Sequence, residues 1–187
     1  MLAKLRVVCW RIARAQKKWS VFLLLAAFGL PRATAGQEAE EYEVKAAFLY
    51  NFTKFVEWPR FDTSAFTICV LGEDPFGTSL ELLIKSKSAY GHPLHVRQIK
   101  QGSVGKECQI VFVTASEKKR ASQLIEETRG TPVLTVGETR EFLRMGGMVF
   151  LETEGSRVSV VINTTVVESA DFKVSAKLMT LARTYKP

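Results

Sequence analysis

The sequence predicts an α/β fold, a single domain with a mostly parallel central sheet flanked by helices and an antiparallel hairpin at one edge. Three observations carry this. Apolar, β-branched runs at 66–71, 109–113 and 132–136 end at turn or capping residues, and each leads into a helical pattern. Strands alternating with helices is the order of βαβ units, whose parallel strands are buried on both faces. Two later strands, 148–152 and 157–162, flank Glu154-Gly155-Ser156, which has hairpin-turn chemistry.

In chain order, residues 1–35 hold seven Lys/Arg and no acid. An apolar core, Val21–Leu30, follows the basic run, and Ala33-Thr34-Ala35 is a small-x-small cleavage site. This layout reads as a secretory signal, with the mature domain at 36–187. The formal net charge is +7, yet beyond residue 35 the chain holds nineteen basic and nineteen acidic residues. The high isoelectric point belongs to the leader, and nothing supports a nucleic-acid surface.

Gly36–Glu43 is small and acidic and reads as a loose mature terminus. Over 44–58, Phe48, Leu49, Phe52, Phe55 and Val56 share one helical face, with Lys45 a charged flaw beside it. Trp58-Pro59 is expected to end that helix. After the 66–71 strand, Asp74 and Pro75 read as the cap and first position of a helix over 76–87. Tyr90-Gly91-His92-Pro93 reads as a turn, 94–99 as a half-exposed strand and 101–107 as a loop. Ser116 caps an expected helix over 117–128, and 138–145 reads as a short helix closed by Gly146-Gly147. Residues 174–184 read as a last helix with Val174, Leu178, Met179 and Leu181 inward.

Of three cysteines, Cys9 lies in the leader. Cys69 and Cys108 remain, an even pair in an exported chain, and a disulfide is the default reading. Catalytic signatures are missing. Gly72–Gly77 sits where a phosphate loop would, but it carries Glu73 and Asp74 and no P-loop Lys-Ser/Thr pair. His92 and His95, the two histidines, fall in a turn and a strand with no third ligand nearby, so neither metal nor cofactor is expected. Neither a nucleophile elbow, a zinc-protease helix nor a CxxC occurs. Asn51-Phe52-Thr53 and Asn163-Thr164-Thr165 match the glycosylation pattern, which matters only in a eukaryotic secretory route. Physics alone therefore reaches an exported binding or regulatory domain that is not an enzyme.

Several segments together resemble the YfiR family of exported bacterial regulators: Val44–Pro59 (VKAAFLYNFTKFVEWP), Phe66–Gly72 (FTICVLG) with Asp74-Pro75-Phe76, Cys108–Val113 (CQIVFV), Gly146–Phe150 (GGMVF), Ile162-Asn163 and Ser175–Leu178 (SAKL). The resemblance implies a small periplasmic protein, forming homodimers, that binds and represses the periplasmic sensor domain of an inner-membrane diguanylate cyclase. Cyclic-di-GMP and biofilm output fall as a result, and an outer-membrane lipoprotein can sequester the repressor. Cys69 and Cys108 match the cysteines of the family's structural bridge. Where some relatives carry a second pair, this chain has Leu143 and Phe150. The resemblance further implies partner contacts in the C-terminal hydrophobic region, with Phe150, Ile162, Asn163, Val167, Phe172 and Leu178 as candidates. The competing expectation is a periplasmic small-molecule binder, its site at Gly72–Asp74, Thr114–Ser116 and Gly137-Glu138 beyond the strand C-termini.

Overall fold

Helix α1, Ala35–Phe55, opens the fold. The computed structural model describes residues 35–61, 63–100, 104 and 107–187; residues 1–34 of the expected leader and most of the 101–107 loop lie outside these. The expected loose terminus at 36–43 is instead the first two turns of α1. The reason is tertiary: Tyr42 and Glu41 are held by hydrogen bonds to Glu138 and Thr153. Leu49 and Phe52 are fully buried and Ala46 nearly so, against one face of the sheet. Each large side chain so buried is worth about 1.5–3 kcal/mol. The helix stops at Phe55, three residues before the expected Trp58, because Val56–Glu57 forms strand β1. Strand β1 pairs antiparallel with β9, Lys173–Val174.

Among the described residues the main sheet has eight strands, in the order β10-β8-β7-β6-β5-β2-β4-β3. They are β2 (Phe66–Leu71), β3 (Ser88–Ala89), β4 (His92–Ile99), β5 (Cys108–Val113), β6 (Leu134–Gly137), β7 (Val149–Glu154), β8 (Arg157–Asn163) and β10 (Arg183–Tyr185). The run β4-β2-β5-β6-β7 is parallel throughout. Strands β7 and β8 form the expected antiparallel hairpin around Gly155-Ser156, and β10 adds outside β8 in parallel. Strands β3 and β4 form a second hairpin whose two-residue turn is Tyr90-Gly91, both at positive φ.

The sheet is covered on both faces. On one side α1 packs over Phe66, Ile68, Val70, Ile110, Phe112 and the inward residues of β8. On the other, α3 (Lys118–Thr128) and α4 (Arg140–Arg144) cover Cys69, Leu71, Val111 and Val113 through Leu124, Ile125 and Phe142. A short 3₁₀ turn, Ala115–Glu117, takes the place of the Ser116-capped start expected for α3.

Three further expectations are corrected. Asp74 does not cap a helix: its Oδ1 accepts the Phe76 amide in a local turn, and helix α2 runs only from Ser79 to Ile84. The last helix, α6, spans Ala176–Leu181 with Ser175 as its cap, and Val174 and Thr184 belong to strands β9 and β10. Leu178 is buried but Leu181 is 71% exposed. A helix absent from the sequence reading, α5 (Thr164–Ser169), follows β8 directly and is capped by the Asn163 side chain.

Candidate functional site

The disulfide depends on a break in strand alternation. Cys69 points to the α3 side of β2, together with Leu71. On β5, strict alternation from Val111 and Val113 would turn Cys108 to the opposite face. The pairing of β2 with β5 instead runs Thr67↔Cys108 and then Ile68↔Ile110, so Gln109 is an extra residue in β5. That bulge turns Cys108 to the side of Cys69, and the two are bonded with Cα atoms 5.8 Å apart. Gln109 also mends the ladder that it interrupts. Its Oε1 accepts the Thr67 amide at 2.7 Å, and its carbonyl accepts the Trp58 indole N–H at 3.2 Å.

Beyond the strand C-termini, where open α/β sheets take ligands, this chain has placed its own groups. The chain reverses direction across the sheet between β2 and β5. There Thr114 Oγ1 donates to the Leu71 carbonyl at 3.1 Å and lies 2.7 Å from Ser116 Oγ. A Cβ on Gly72 (φ +107°) would stand 2.3 Å from that same Thr114 oxygen, so only glycine fits. One strand over, Glu138 Oε1 accepts the Ala115 amide at 2.6 Å, while Oε2 accepts both Lys45 Nζ (2.6 Å) and Tyr42 Oη (3.0 Å). Lys45 also reaches Glu41 at 2.6 Å. The side chains of Lys45 and Glu138 are 3% and 5% exposed, so this ion pair closes the crevice from within. What stays open is an acidic depression bordered by Gly72, Glu73, Asp74, Gln98, Lys100 and Glu117.

This network perturbs its own members. Burial pushes the Glu41 carboxyl up, but hydrogen bonds from Lys45 and Thr153 and the Lys45 charge outweigh it and hold Glu41 below its ordinary value. Burial, then the charge and hydrogen bond of Glu138, push the Tyr42 phenol up. Glu138 was singled out from the sequence only as lining for a ligand site, and Tyr42 and Glu41 were not singled out at all. The signal was Lys45, the one charge on the apolar face of α1, which implied a buried counter-charge somewhere.

The six C-terminal candidates do not form one surface. Phe150, Ile162, Asn163, Val167, Phe172 and Leu178 are each at most 6% exposed. Ile162, Val167, Phe172 and Leu178 belong to the α1-side core. Ile162, Val167 and Phe172 also form the floor of a depression of about 290 Å³, edged by Thr164, Lys173 and Met179. Asn163 caps α5 by accepting the Val166 amide at 3.3 Å. Phe150 faces the other side of the sheet, in a second depression. The histidines lie apart from all of these: His92 Nδ1 is 3.2 Å from the Ser64 carbonyl and His95 is exposed. Among the described residues, no three His, Cys, Asp or Glu side chains are placed to hold a metal.

Comparison with known proteins now decides the family. The sequence profile of the YfiR/HmsC-like family matches residues 42–183, from the second turn of α1 to β10. The chain belongs to the YfiR/HmsC-like family. The family is one of periplasmic regulators of diguanylate cyclase signalling, regulatory rather than catalytic. Among solved structures, a conserved domain protein from Vibrio cholerae O1 biovar El Tor is similar with a TM-score of 0.53 at 14% identity. The match covers 78% of this chain but 60% of that one, and it bears on the fold alone. The metB protein of Corynebacterium glutamicum is a weaker likeness, with a TM-score of 0.43 at 8% identity over 59% of this chain and 31% of that one. In this chain the expected bridge is the Cys69–Cys108 bond, and Leu143 and Phe150 are both buried and line the second depression. No helix among the described residues is long and apolar enough to cross a membrane.

Proposed function

We propose that this chain is a periplasmic repressor that binds the periplasmic sensor domain of an inner-membrane diguanylate cyclase and holds its output off. Residues 1–35 are its cleaved export signal, and 36–187 the working domain. It acts as a homodimer and can be sequestered by an outer-membrane lipoprotein. The observation that carries this reading is the family match across 42–183, nearly the whole described domain. The end of β6 supports it further, since Glu138, one of the residues a small-molecule site there would use, is already paired with Lys45.

The physical requirement is differential affinity: the repressor must bind the sensor's inactive state better than its active one. A preference of ~100-fold corresponds to about 2.7 kcal/mol, which a few well-packed contacts supply. The depression over Ile162, Val167 and Phe172 is the surface we assign to an apolar anchor of a partner. These residues are its floor, and Met179 and Lys173 its accessible edge. The test is capture of purified cyclase sensor domain by immobilised protein, with Met179→Glu as the edge variant. Capture by the parent chain and its loss in Met179→Glu is the expected result. A parent chain that retains no sensor domain refutes the reading.

A further inference from the structure

We infer that the sheet edge at β10 and the arginine-rimmed depression beside it form a docking site for an extended, acidic segment of a partner protein. The inference rests on the partner-binding reading above and specifies a second contact, on the opposite face of the sheet from the Ile162 depression.

The register builds the floor. Phe150 on β7 lies opposite Val161 on β8, which lies beside Arg183 on β10, so the three form one row across three strands. Alternation puts Glu152 and Tyr185 on that same face. Here the only helix lining the depression among the described residues is α4, five residues long, which contributes Leu143 to the wall and Arg140 and Arg144 to the rim. The result is a depression of about 240 Å³ with an apolar base and three guanidiniums around it.

The charge is unbalanced and pre-positioned. Glu152 is the one carboxylate lining the depression, and it is nearly buried. One of its oxygens takes Arg140 and the other Arg183, whose side chains are 62% and 55% exposed. Arg183 Nη2 also donates to Ser159 Oγ at 3.1 Å. Two guanidiniums are therefore fixed in direction by a single internal acid, and each planar fork keeps further N–H donors. Arg144 is exposed and has no ion-pair partner among the described residues. Three cations against one carboxylate leave the rim short of negative charge.

Beside the rim, β10 is the last strand of the sheet. No described strand pairs with its outer side, and Arg183 and Thr184 are exposed. An open edge is a template for an added strand, whose main-chain hydrogen bonds give affinity while alternate side chains enter neighbouring pockets. A strand laid on β10 turns every second side chain toward the arginine rim. Carboxylates at those positions complete the ion pairing, and an apolar neighbour reaches the Phe150 floor.

The probes are fluorescent eight-residue peptides, titrated into the periplasmically purified full domain: alternating Val and Glu; the same with Lys for Glu; and the acidic one with two Val replaced by Pro. The Val/Glu peptide is expected to bind and to shift the amide resonances of Arg183–Tyr185 and of α4. The Lys and Pro versions are expected to bind at least about tenfold more weakly, and Arg144→Glu to lower affinity for the Val/Glu peptide by a similar factor. Arg144→Lys restores binding in part, and an unchanged thermal midpoint shows that Arg144→Glu folds. Equal binding of the Glu and Lys peptides, shifts confined to another surface, or an Arg144→Glu variant that binds normally overturns the inference. If Arg144→Glu still captures the sensor domain with parent affinity, the inference falls while the repressor reading stands.

Discussion

Opening the Cys69–Cys108 bond should cost this fold about 4 kcal/mol. The bond closes a loop of 39 positions. In the chain-entropy treatment, a loop of that length removes roughly 13 cal/mol/K from the unfolded ensemble, or about 4 kcal/mol at 25 °C. The two cysteines are 0% and 1% exposed, so reduction also leaves two thiols in a packed layer under α3. At roughly 2–4 °C per kcal/mol for a domain of this size, the thermal midpoint should drop by about 8–16 °C. The assay is urea unfolding of oxidised protein against Cys69→Ala/Cys108→Ala, followed by far-ultraviolet circular dichroism. Because the constraint acts on the unfolded chain, the oxidised form should also show the smaller dependence on denaturant. Equal midpoints for the two forms would refute the reasoning, and so would free thiols in protein purified from the periplasm.

Other predictions test the parts separately. Gln109→Leu removes the acceptor for the Thr67 amide and should cost about 1–3 kcal/mol in urea unfolding. Deleting Gln109 should prevent the disulfide altogether, which mass spectrometry reads directly. Lys45→Met leaves Glu138 buried without its counter-charge and should cost about 3–5 kcal/mol, with much of that recovered in Lys45→Met/Glu138→Leu. Glu41 has a depressed value in the fold, so its ionised form contributes stability above the ordinary carboxylate value of 4.5, and this is lost as pH falls through the folded value. Unfolding midpoints measured below pH 5 should thus fall less steeply in Glu41→Gln. Gly147→Ala places a Cβ 2.2 Å from the Phe142 ring and should cost about 1–3 kcal/mol, relieved in part by Phe142→Leu.

What was legible in the sequence is what local periodicity encodes. The buried strands around Cys69, Ile110 and Val136 read directly, since apolar β-branched runs between turns have few other solutions. The Gly155 hairpin did too. The short elements did not: β1, β9 and β10 have two or three residues each and exist only because a partner strand lies beside them. The 36–43 segment is helical because Glu41 and Tyr42 find partners about a hundred residues away, which no window of sequence displays. The candidate site divides in the same way. Ile162, Val167 and Phe172 were readable as apolar positions, but only the fold shows that they floor a depression and that Phe150 faces elsewhere. Arg140, Glu152 and Arg183 meet from three separate elements and left no local mark.

The most direct measurement is cellular cyclic-di-GMP in a strain lacking the gene, complemented either with the full chain or with residues 36–187 lacking the leader. The account predicts a raised level on deletion, return to the parent level with the exported form, and no return with the unexported one. An unchanged level on deletion, or full restoration by protein confined to the cytoplasm, would contradict it.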